Sequence, residues 1–108
     1  MNKEILKGSI DILILSIIAK HDTYGYQIAK KIKANSSNSY VIGEGTLYPA
    51  LKRLEKKNFI SSYWGESDSA GRRKYYKLTD DGRTELSKKI ADWKEANDLI
   101  NLSTEGLN

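Results

Sequence analysis

The sequence predicts a mainly α-helical fold with a small β-hairpin, an α+β protein that ends in one long C-terminal helix. Four segments have the apolar spacing of helices, and two runs of β-forming residues flank a turn-rich segment between the third and fourth helices. At 108 residues the chain is long enough for one hydrophobic core. We therefore expect one structural domain, with a compact region at 1–79 and a final helix with a short tail at 80–108.

The first predicted helix covers about residues 3–20 and is apolar on two opposite sides. One side has the spacing of a buried face, i, i+3, i+4, i+7 and i+8, and consists of Ile10, Leu13, Ile14, Ile17 and Ile18. The other side consists of Gly8, Ile12, Leu15 and Ala19. Because a helix that is apolar all round must be covered all round, we expect a second subunit to cover this other side.

The next two predicted helices cover about residues 24–34 and 46–57, with a loop rich in Asn, Ser and Gly between them. Thr46 is predicted to cap the third helix, and Pro49 to lie in its first turn. The stripe of this helix that we expect to be buried consists of Leu47, Leu51 and Leu54. The opposite side is basic and consists of Pro49, Lys52, Arg53 and Lys56.

A β-hairpin is predicted from the runs at 59–64 and 74–79, with a turn over residues 67–71. Strand alternation places Tyr76 and Leu78 in the core and Tyr75 at the surface. The last helix is predicted to begin at Thr79, whose side chain can cap it. Apolar residues then recur at the 4-3-4-3 spacing of a coiled-coil seam, which predicts a homodimer interface. The predicted interface consists of Leu86, Ile90, Trp93, Asn97 and Ile100.

The composition excludes several classes of function. The chain has no cysteine and one histidine, His21, so thiol chemistry, thiolate metal sites and a Ser-His-Asp triad are absent from the sequence. No glycine-rich phosphate loop is present either. We therefore predict that the chain is not an enzyme and uses no metal or other cofactor, and that His21 is a surface residue. The apolar run near the N-terminus is interrupted by Asp11 and is too short to span a membrane, so we expect a cytoplasmic protein.

The positive charge is unevenly distributed along the chain. Residues 1–79 have fourteen Lys and Arg against seven Asp and Glu, a net charge of +7, whereas residues 80–108 have four against seven, a net charge of −3. Residues 52–77 alone have eight against three, a net charge of +5. Three helices followed by a hairpin are typical of a winged helix-turn-helix, in which the third helix enters the major groove of DNA.

This arrangement predicts contacts with double-stranded DNA from the third helix, the hairpin and the start of the second helix. Thr46 and Tyr48 are placed to meet base edges, and the cations to meet phosphates. The predicted contacts are Tyr24, Gln27, Thr46, Tyr48, Pro49, Lys52, Arg53, Lys56, Arg72, Arg73 and Lys74. Two alternatives remain open, because the cations of the third helix can form an ordinary solvated face and Tyr48 can pack against the second helix.

Two long motifs then point to a family. EGTLYPALKRLE at 44–55 and GRRKYYKLT at 71–79, with YGY at 24–26 and LKG at 6–8, resemble the PadR family of bacterial transcriptional regulators over roughly residues 5–100. The resemblance implies a dimeric repressor that binds a pseudo-palindromic operator and releases it when a small molecule binds. The single final helix resembles the compact branch of this family.

Within that branch, SSYWG at 61–65 and a tryptophan midway along the last helix resemble the multidrug-sensing members. The resemblance implies that a planar aromatic molecule lies between two Trp93 side chains at the dimer interface. The second apolar side of the first helix would line the same space, and Asn97 and Asp11 could add polar contacts, so the residues predicted for ligand binding are Gly8, Asp11, Ile12, Leu15, Trp93 and Asn97. Other roles remain open, since Trp93 can simply anchor the interface, Asn97 can set the helix register, and Asp11 can meet a partner subunit.

The sequence therefore predicts a sequence-specific DNA-binding transcriptional regulator. The alternative is a winged-helix module that binds protein or RNA without an operator, because a fold does not by itself fix a function.

Overall fold

The computed structural model describes residues 2–67 and 71–107. Helices and strands follow one another in the order α1 (Lys3–Leu6), a 3₁₀ turn (Lys7–Ser9), α2 (Ile10–Lys20), β1 (Thr23–Tyr24), α3 (Gly25–Asn35), α4 (Glu44–Lys56), β2 (Ile60–Ser67), β3 (Gly71–Leu78) and α5 (Asp80–Ser103). The three strands form an antiparallel sheet in the order β1-β3-β2. The mainly helical fold with a hairpin is confirmed. The predicted turn at 67–71 falls largely on residues 68–70, which lie outside the described residues.

The single helix predicted over residues 3–20 is wrong in one respect, because the 3₁₀ turn separates α1 from α2. Ser9 has φ −113° and ψ 3°, which is outside the α-helical region, and no side chain caps the start of α2. Leu15 is fully buried within this one chain, and α5 packs against α2. The expectation that a second subunit covers this side was therefore wrong for Leu15, because that side chain is already buried within the single chain.

Helix α4 begins two residues before the predicted cap. Gly43 is the N-cap residue, and its carbonyl oxygen accepts hydrogen bonds from the backbone amides of Thr46 and Leu47 at 3.1 and 2.9 Å. The predicted cap at Thr46 was wrong, because Glu44 and Gly45 join the helix, where an acidic side chain in the first turn is favourable. Pro49 consequently lies in the second turn. The burial of Leu47, Leu51 and Leu54 is confirmed.

The short strand β1 was not predicted, because two residues have no detectable periodicity. Thr23 and Tyr24 pair with Tyr76 and Tyr75 of β3, which joins the hairpin to the start of α3. Tyr76 and Leu78 are buried, as predicted. Tyr75 is half-buried rather than exposed, because its ring lies between those of Tyr24 and Tyr63 at centroid distances of 5.5 and 5.7 Å.

The first turn of α5 is fixed against the turn between α4 and β2. The predicted cap is confirmed, since Thr79 Oγ1 accepts a hydrogen bond from the Gly82 amide at 2.9 Å and donates one to the Asn58 carbonyl at 2.6 Å. A Cβ atom on Gly82 would lie 1.9 Å from the carbonyl oxygen of Phe59, so only glycine fits there. Leu86, on the next turn, belongs to the core.

Across the described part of the chain, no helix combines the length and the apolarity that a membrane crossing requires.

Candidate nucleic-acid interface

Helix α4 turns one side toward the core and the opposite side toward solvent. Leu47, Ala50, Leu51 and Leu54 are buried against the rest of the chain. The residues predicted to contact DNA from this helix, namely Thr46, Tyr48, Pro49, Lys52, Arg53 and Lys56, are all exposed. The helix therefore presents a continuous polar and cationic side, as the sequence predicted.

Tyr48 lies against the start of α3 and is still accessible. Its side chain is 46% exposed, and a Cβ atom on Gly25 would lie 2.7 Å from the Tyr48 hydroxyl. The absence of a side chain at Gly25 therefore lets α3 and α4 approach each other at this point. Packing against the second helix, the alternative left open by the sequence, is what the structure shows, and the ring retains an exposed edge.

Arg53 is paired within the chain. Its Nη2 atom lies 2.6 Å from Oδ1 of Asp11, which is in the first turn of α2. The Arg53 side chain is 47% exposed and that of Asp11 is 21% exposed, so the pair sits at the edge of the surface. Asp11, for which the sequence suggested a ligand or a partner subunit, thus has a partner on α4. The pair ties the last turn of α4 to the first turn of α2.

Glu55, on the flank of α4, connects that helix to both long strands. Its carboxylate accepts a hydrogen bond from the hydroxyl of Ser62 on β2. The other carboxylate oxygen, Oε1, lies 3.7 Å from Nζ of Lys74 on β3. One acidic side chain therefore joins α4 to two neighbouring strands.

The hairpin has an inner side toward α4 and an outer side away from it. Side chains alternate across a strand, and residues opposite each other in the register share a side. The contacts of Glu55 identify the inner side, which consists of Ser62, Trp64, Glu66, Arg72 and Lys74. Arg73 is on the outer side. The basic run Arg72-Arg73-Lys74 is thus divided, and the structure brings two of its three cations to the side that faces α4.

Each cation of this run lies near an aromatic ring. The guanidinium carbon of Arg72 is 5.7 Å from the ring centroid of Trp64, and Nζ of Lys74 is 5.6 Å from that of Tyr76. The guanidinium carbon of Arg73 is 4.0 Å from the ring centroid of Tyr24. Such contacts orient the cations while leaving their charge available.

The outer side of the hairpin is aromatic. The rings of Tyr63 and Tyr75 stack, and that of Tyr24 meets Tyr75 edge-on. The Tyr63 hydroxyl donates a 2.6 Å hydrogen bond to Oδ2 of Asp22, and this bond to a carboxylate raises the pKa of Tyr63 above its usual value. Burial in the core raises the pKa of Tyr76 in the same direction. The ring contacts and the bond to Asp22 hold the β1 segment against the hairpin.

Gln27, predicted to contact DNA, lines a small hollow together with Lys20, His21, Thr23 and Lys31. The structure therefore places it beside the basic end of α2. His21 is exposed, as predicted.

The residues proposed from the sequence for ligand binding are only partly brought together. Gly8, Ile12 and Trp93 line one open groove of about 300 Å³ between the start of α2 and the middle of α5. Ser9, Lys89 and Asp92 complete this groove. Leu15 is in the core, Asp11 is paired with Arg53, and Asn97 lies one turn further along α5.

The residues predicted for the dimer interface lie on one stripe of α5, but they differ in burial. Leu86 is 8% exposed inside the chain's own core, and Ile90 packs half-buried against that core. Trp93 and Ile100 are 50% and 59% exposed. The part of the stripe that is open to a second subunit therefore begins near Ile90.

The sequence did not predict that Trp64 and Ser62 lie on the inner side of the hairpin, or that Glu55 contacts this side. Trp64 is 60% exposed on the inner side of the hairpin. The alternation of β2 could have placed Trp64 and Ser62 on the side of Lys74, since that signal is local. The contact of Glu55 with the hairpin had no local signal.

The described residues contain no group of three or more acidic or histidine side chains that could hold a metal ion. A helix with an exposed cationic side, preceded by a helix in close contact and followed by a basic hairpin, defines a winged helix-turn-helix protein that binds nucleic acid.

Comparisons with known proteins narrow this class. The profile of the transcriptional regulator PadR-like family matches residues 14–88. An uncharacterized protein of Lysinibacillus sphaericus is 40% identical over 99% of this chain and 98% of its own length. A transcriptional regulator of known structure from Clostridium thermocellum has 40% sequence identity to this chain. Its structure superposes with a TM-score of 0.83 over 91% of this chain and 95% of that one.

A PadR family transcription regulator from Clostridium difficile is also similar, with 46% identity and a TM-score of 0.74 over 86% of this chain and 95% of that chain. The chain belongs to the PadR-like family of transcriptional regulators. It is therefore a DNA-binding transcriptional regulator and not an enzyme.

Proposed function

We propose that this chain is a cytoplasmic, homodimeric repressor that binds a pseudo-palindromic operator and releases it when a planar aromatic molecule binds. The observation that carries the DNA-binding part is the position of the cationic side of α4 beside the inner side of the hairpin. A helix and a hairpin that expose cations toward the same side can contact a groove and the adjacent phosphates together.

In this proposal, most of the exposed cations of α4 and the hairpin contact phosphates, and one of them holds α4 in place. Lys52 and Lys56 are exposed on α4 and, among the described residues, have no ion-pair partner, so they are free to meet phosphates. Arg72 and Lys74 extend this contact along the hairpin, while Thr46 and Tyr48 meet base edges from the first turns of α4. Arg53 is the exception, because its pairing with Asp11 fixes α4 in place.

The test is the salt dependence of DNA binding. Operator duplex, selected from genomic fragments by the wild-type chain, should bind with an affinity that falls steeply as salt rises. Lys52→Ala should reduce the slope of log K against log salt by about one, because one phosphate contact is lost. Lys94→Ala, in the acidic half of α5, is the matched control and should leave the slope unchanged.

Salt-independent binding, or equal competition by duplex RNA of the same sequence, would contradict this proposal and favour a module that binds RNA. Failure to bind any duplex would favour a protein-interaction module.

The proposed homodimer rests on the exposed apolar side chains of α5. Trp93 and Ile100 lie on the stripe that continues from the core, and Leu99 and Leu102, on the opposite side of the helix, are 65% and 70% exposed. A helix with this much exposed apolar surface is stabilised by a partner of its own kind. Sedimentation velocity should show a dimer, and Ile100→Asp should raise its dissociation constant at least about tenfold, since a charge would enter the interface.

Release by a ligand rests on the groove formed by Gly8, Ile12 and Trp93. Two such grooves related by a two-fold axis would place two indole rings around a planar molecule. With two tryptophans in the chain, Trp64→Phe leaves Trp93 as the fluorophore. Acridine should quench that variant and loosen its operator complex, whereas Trp93→Phe should show neither effect. Quenching that persists in Trp93→Phe would contradict the proposed site.

A further inference from the structure

We infer that Glu55 is a positioning residue that sets the placement of the hairpin relative to α4, so that an acidic side chain supports DNA recognition. The inference rests on the proposed function, because it concerns the two elements that are proposed to contact the operator. By its charge alone, Glu55 would be expected to weaken DNA binding, since a carboxylate near DNA repels phosphate.

The carboxylate of Glu55 connects three elements of the structure. Glu55 is in the last turn of α4, and it accepts the hydrogen bond of Ser62 on β2 while facing Lys74 on β3 at 3.7 Å. Ser62 and Lys74 lie two residues apart in the antiparallel register, on the same side of the hairpin. A single side chain therefore holds the helix against both strands.

The contact between Glu55 and Lys74 is partly buried. The side chains of Glu55 and Lys74 are 34% and 42% exposed, so water screens them less than it would screen a pair at the open surface. A hydrogen bond to a carboxylate is stronger than one between neutral groups. Lys74 Nζ also lies 5.6 Å from the ring centroid of Tyr76, two residues along the same strand, which orients the ammonium group on that side of the hairpin.

Glu66, the next acidic residue along the chain, differs from Glu55 in its contacts. Glu66 is exposed on the same inner side of the hairpin, and its carboxylate forms no hydrogen bond or ion pair with the described residues. Both acids reduce the positive charge of the surface by the same amount. Of these two residues, only Glu55 connects the helix to the strands. Comparing substitutions at the two positions therefore distinguishes an effect of hairpin placement from an effect of charge.

The experiment compares three variants with the wild-type chain. Glu55→Ala removes the link together with a charge, Ser62→Ala removes the hydrogen bond without changing charge, and Glu66→Ala removes a charge without removing a link. Affinity is measured for the operator duplex selected by the wild-type chain and for a shuffled duplex of the same length and composition. The ratio of the two affinities is the readout, and thermal unfolding is recorded in parallel.

We expect Glu55→Ala to lower the ratio about tenfold, the scale of one hydrogen bond to a charged group. Ser62→Ala should lower it in the same direction, and Glu66→Ala should leave the ratio unchanged while both duplexes bind more tightly. If Glu55→Ala loses stability, Ser62→Ala decides the question. The inference is overturned if Glu55→Ala behaves like Glu66→Ala or if Ser62→Ala keeps the wild-type ratio. A wild-type chain that does not distinguish the two duplexes would instead overturn the proposed function itself.

Discussion

The compact region, residues 1–79, and the distal half of α5 differ in the burial of their apolar side chains. Ile14, Leu15 and Leu51 in the compact region are fully buried, whereas Leu99, Ile100 and Leu102 in the distal half are 59–70% exposed. A helix in water is stabilised mainly by packing of its apolar side. The compact region therefore has a core of its own, whereas the distal half of α5 has little apolar packing within this chain.

The two regions also differ in charge. Residues 1–79 have a net charge of +7, and residues 80–108 have a net charge of −3. A cationic surface attracts a polyanion such as DNA, and an acidic one is repelled by it. The proposed DNA contacts lie in the cationic part of the chain and the proposed dimer contacts in the acidic part, and the two parts meet at the first turn of α5.

The largest expected effect tests the difference in burial directly. Leu51→Ala should lower the free energy of unfolding by about 2–5 kcal/mol, because it leaves a cavity in the core. Leu102→Ala is the matched control, and its effect should appear only at protein concentrations where a dimer forms. Urea unfolding at several concentrations measures both. Equal losses at every concentration would show that the distal half belongs to the core of the single chain.

The junction between the regions is the next target. Gly82→Ala should cost about 1–3 kcal/mol, the range for overpacking, because its Cβ would collide with the Phe59 carbonyl unless α5 moves away. Gly45→Ala is the control, since a Cβ atom there would meet open space and alanine favours a helix. Thermal unfolding followed by circular dichroism checks both, and a neutral Gly82→Ala would mean that α5 is not fixed at this point.

A smaller effect is expected for the cap of α5. Thr79→Ala should cost about 1 kcal/mol, because the Gly82 amide loses its acceptor. Thr104 also bonds to the backbone of this helix, through the Ile100 carbonyl at the other end, where fraying makes the contact weak. Thr104→Ala should therefore change the unfolding midpoint in urea little. The reverse order of the two effects would place the stability of α5 in its distal half.

The smallest effect concerns the outer side of the hairpin. Asp22→Asn should lower the pKa of Tyr63 toward its usual value, because the raised pKa comes first from the hydrogen bond to this carboxylate. A raised pKa in the folded state means that the bond stabilises the fold below the usual tyrosine pKa, near 10, and is lost as the pH rises through the higher value. Titration by NMR of the labelled Tyr63 ring carbon measures it. An unchanged pKa would show that Asp22 is not the cause.

The prediction of the elements depended on signals that are local in the sequence. The spacing of the leucines in α4, the cap at Thr79 and the alternation of Tyr76 and Leu78 each lie within a few residues, and the structure confirms them. The start of α4 was misplaced because two residues, Thr46 and Gly43, can both precede a helix. The 3₁₀ turn was missed because it leaves the apolar spacing of the segment unchanged.

The candidate site was predicted less completely than the fold. The positions of Lys52 and Lys56 on the exposed side of α4 follow from helix periodicity alone. The pairing of Arg53 with Asp11, 42 residues away, has no counterpart in any local pattern. For this reason the sequence predicted the same role, contact with DNA, for Arg53 as for Lys52 and Lys56.

By itself, the sequence determined which side of each helix is apolar, where α5 begins, and which segment is most basic, because each of these properties is set by neighbours along the chain. Only the tertiary structure decided that Leu15 is buried within a single chain, that β1 joins the hairpin, and that Glu55 connects α4 to both strands. These contacts join residues from different elements. Their partners are selected by how the elements pack in three dimensions, which no repeat or spacing in one segment encodes.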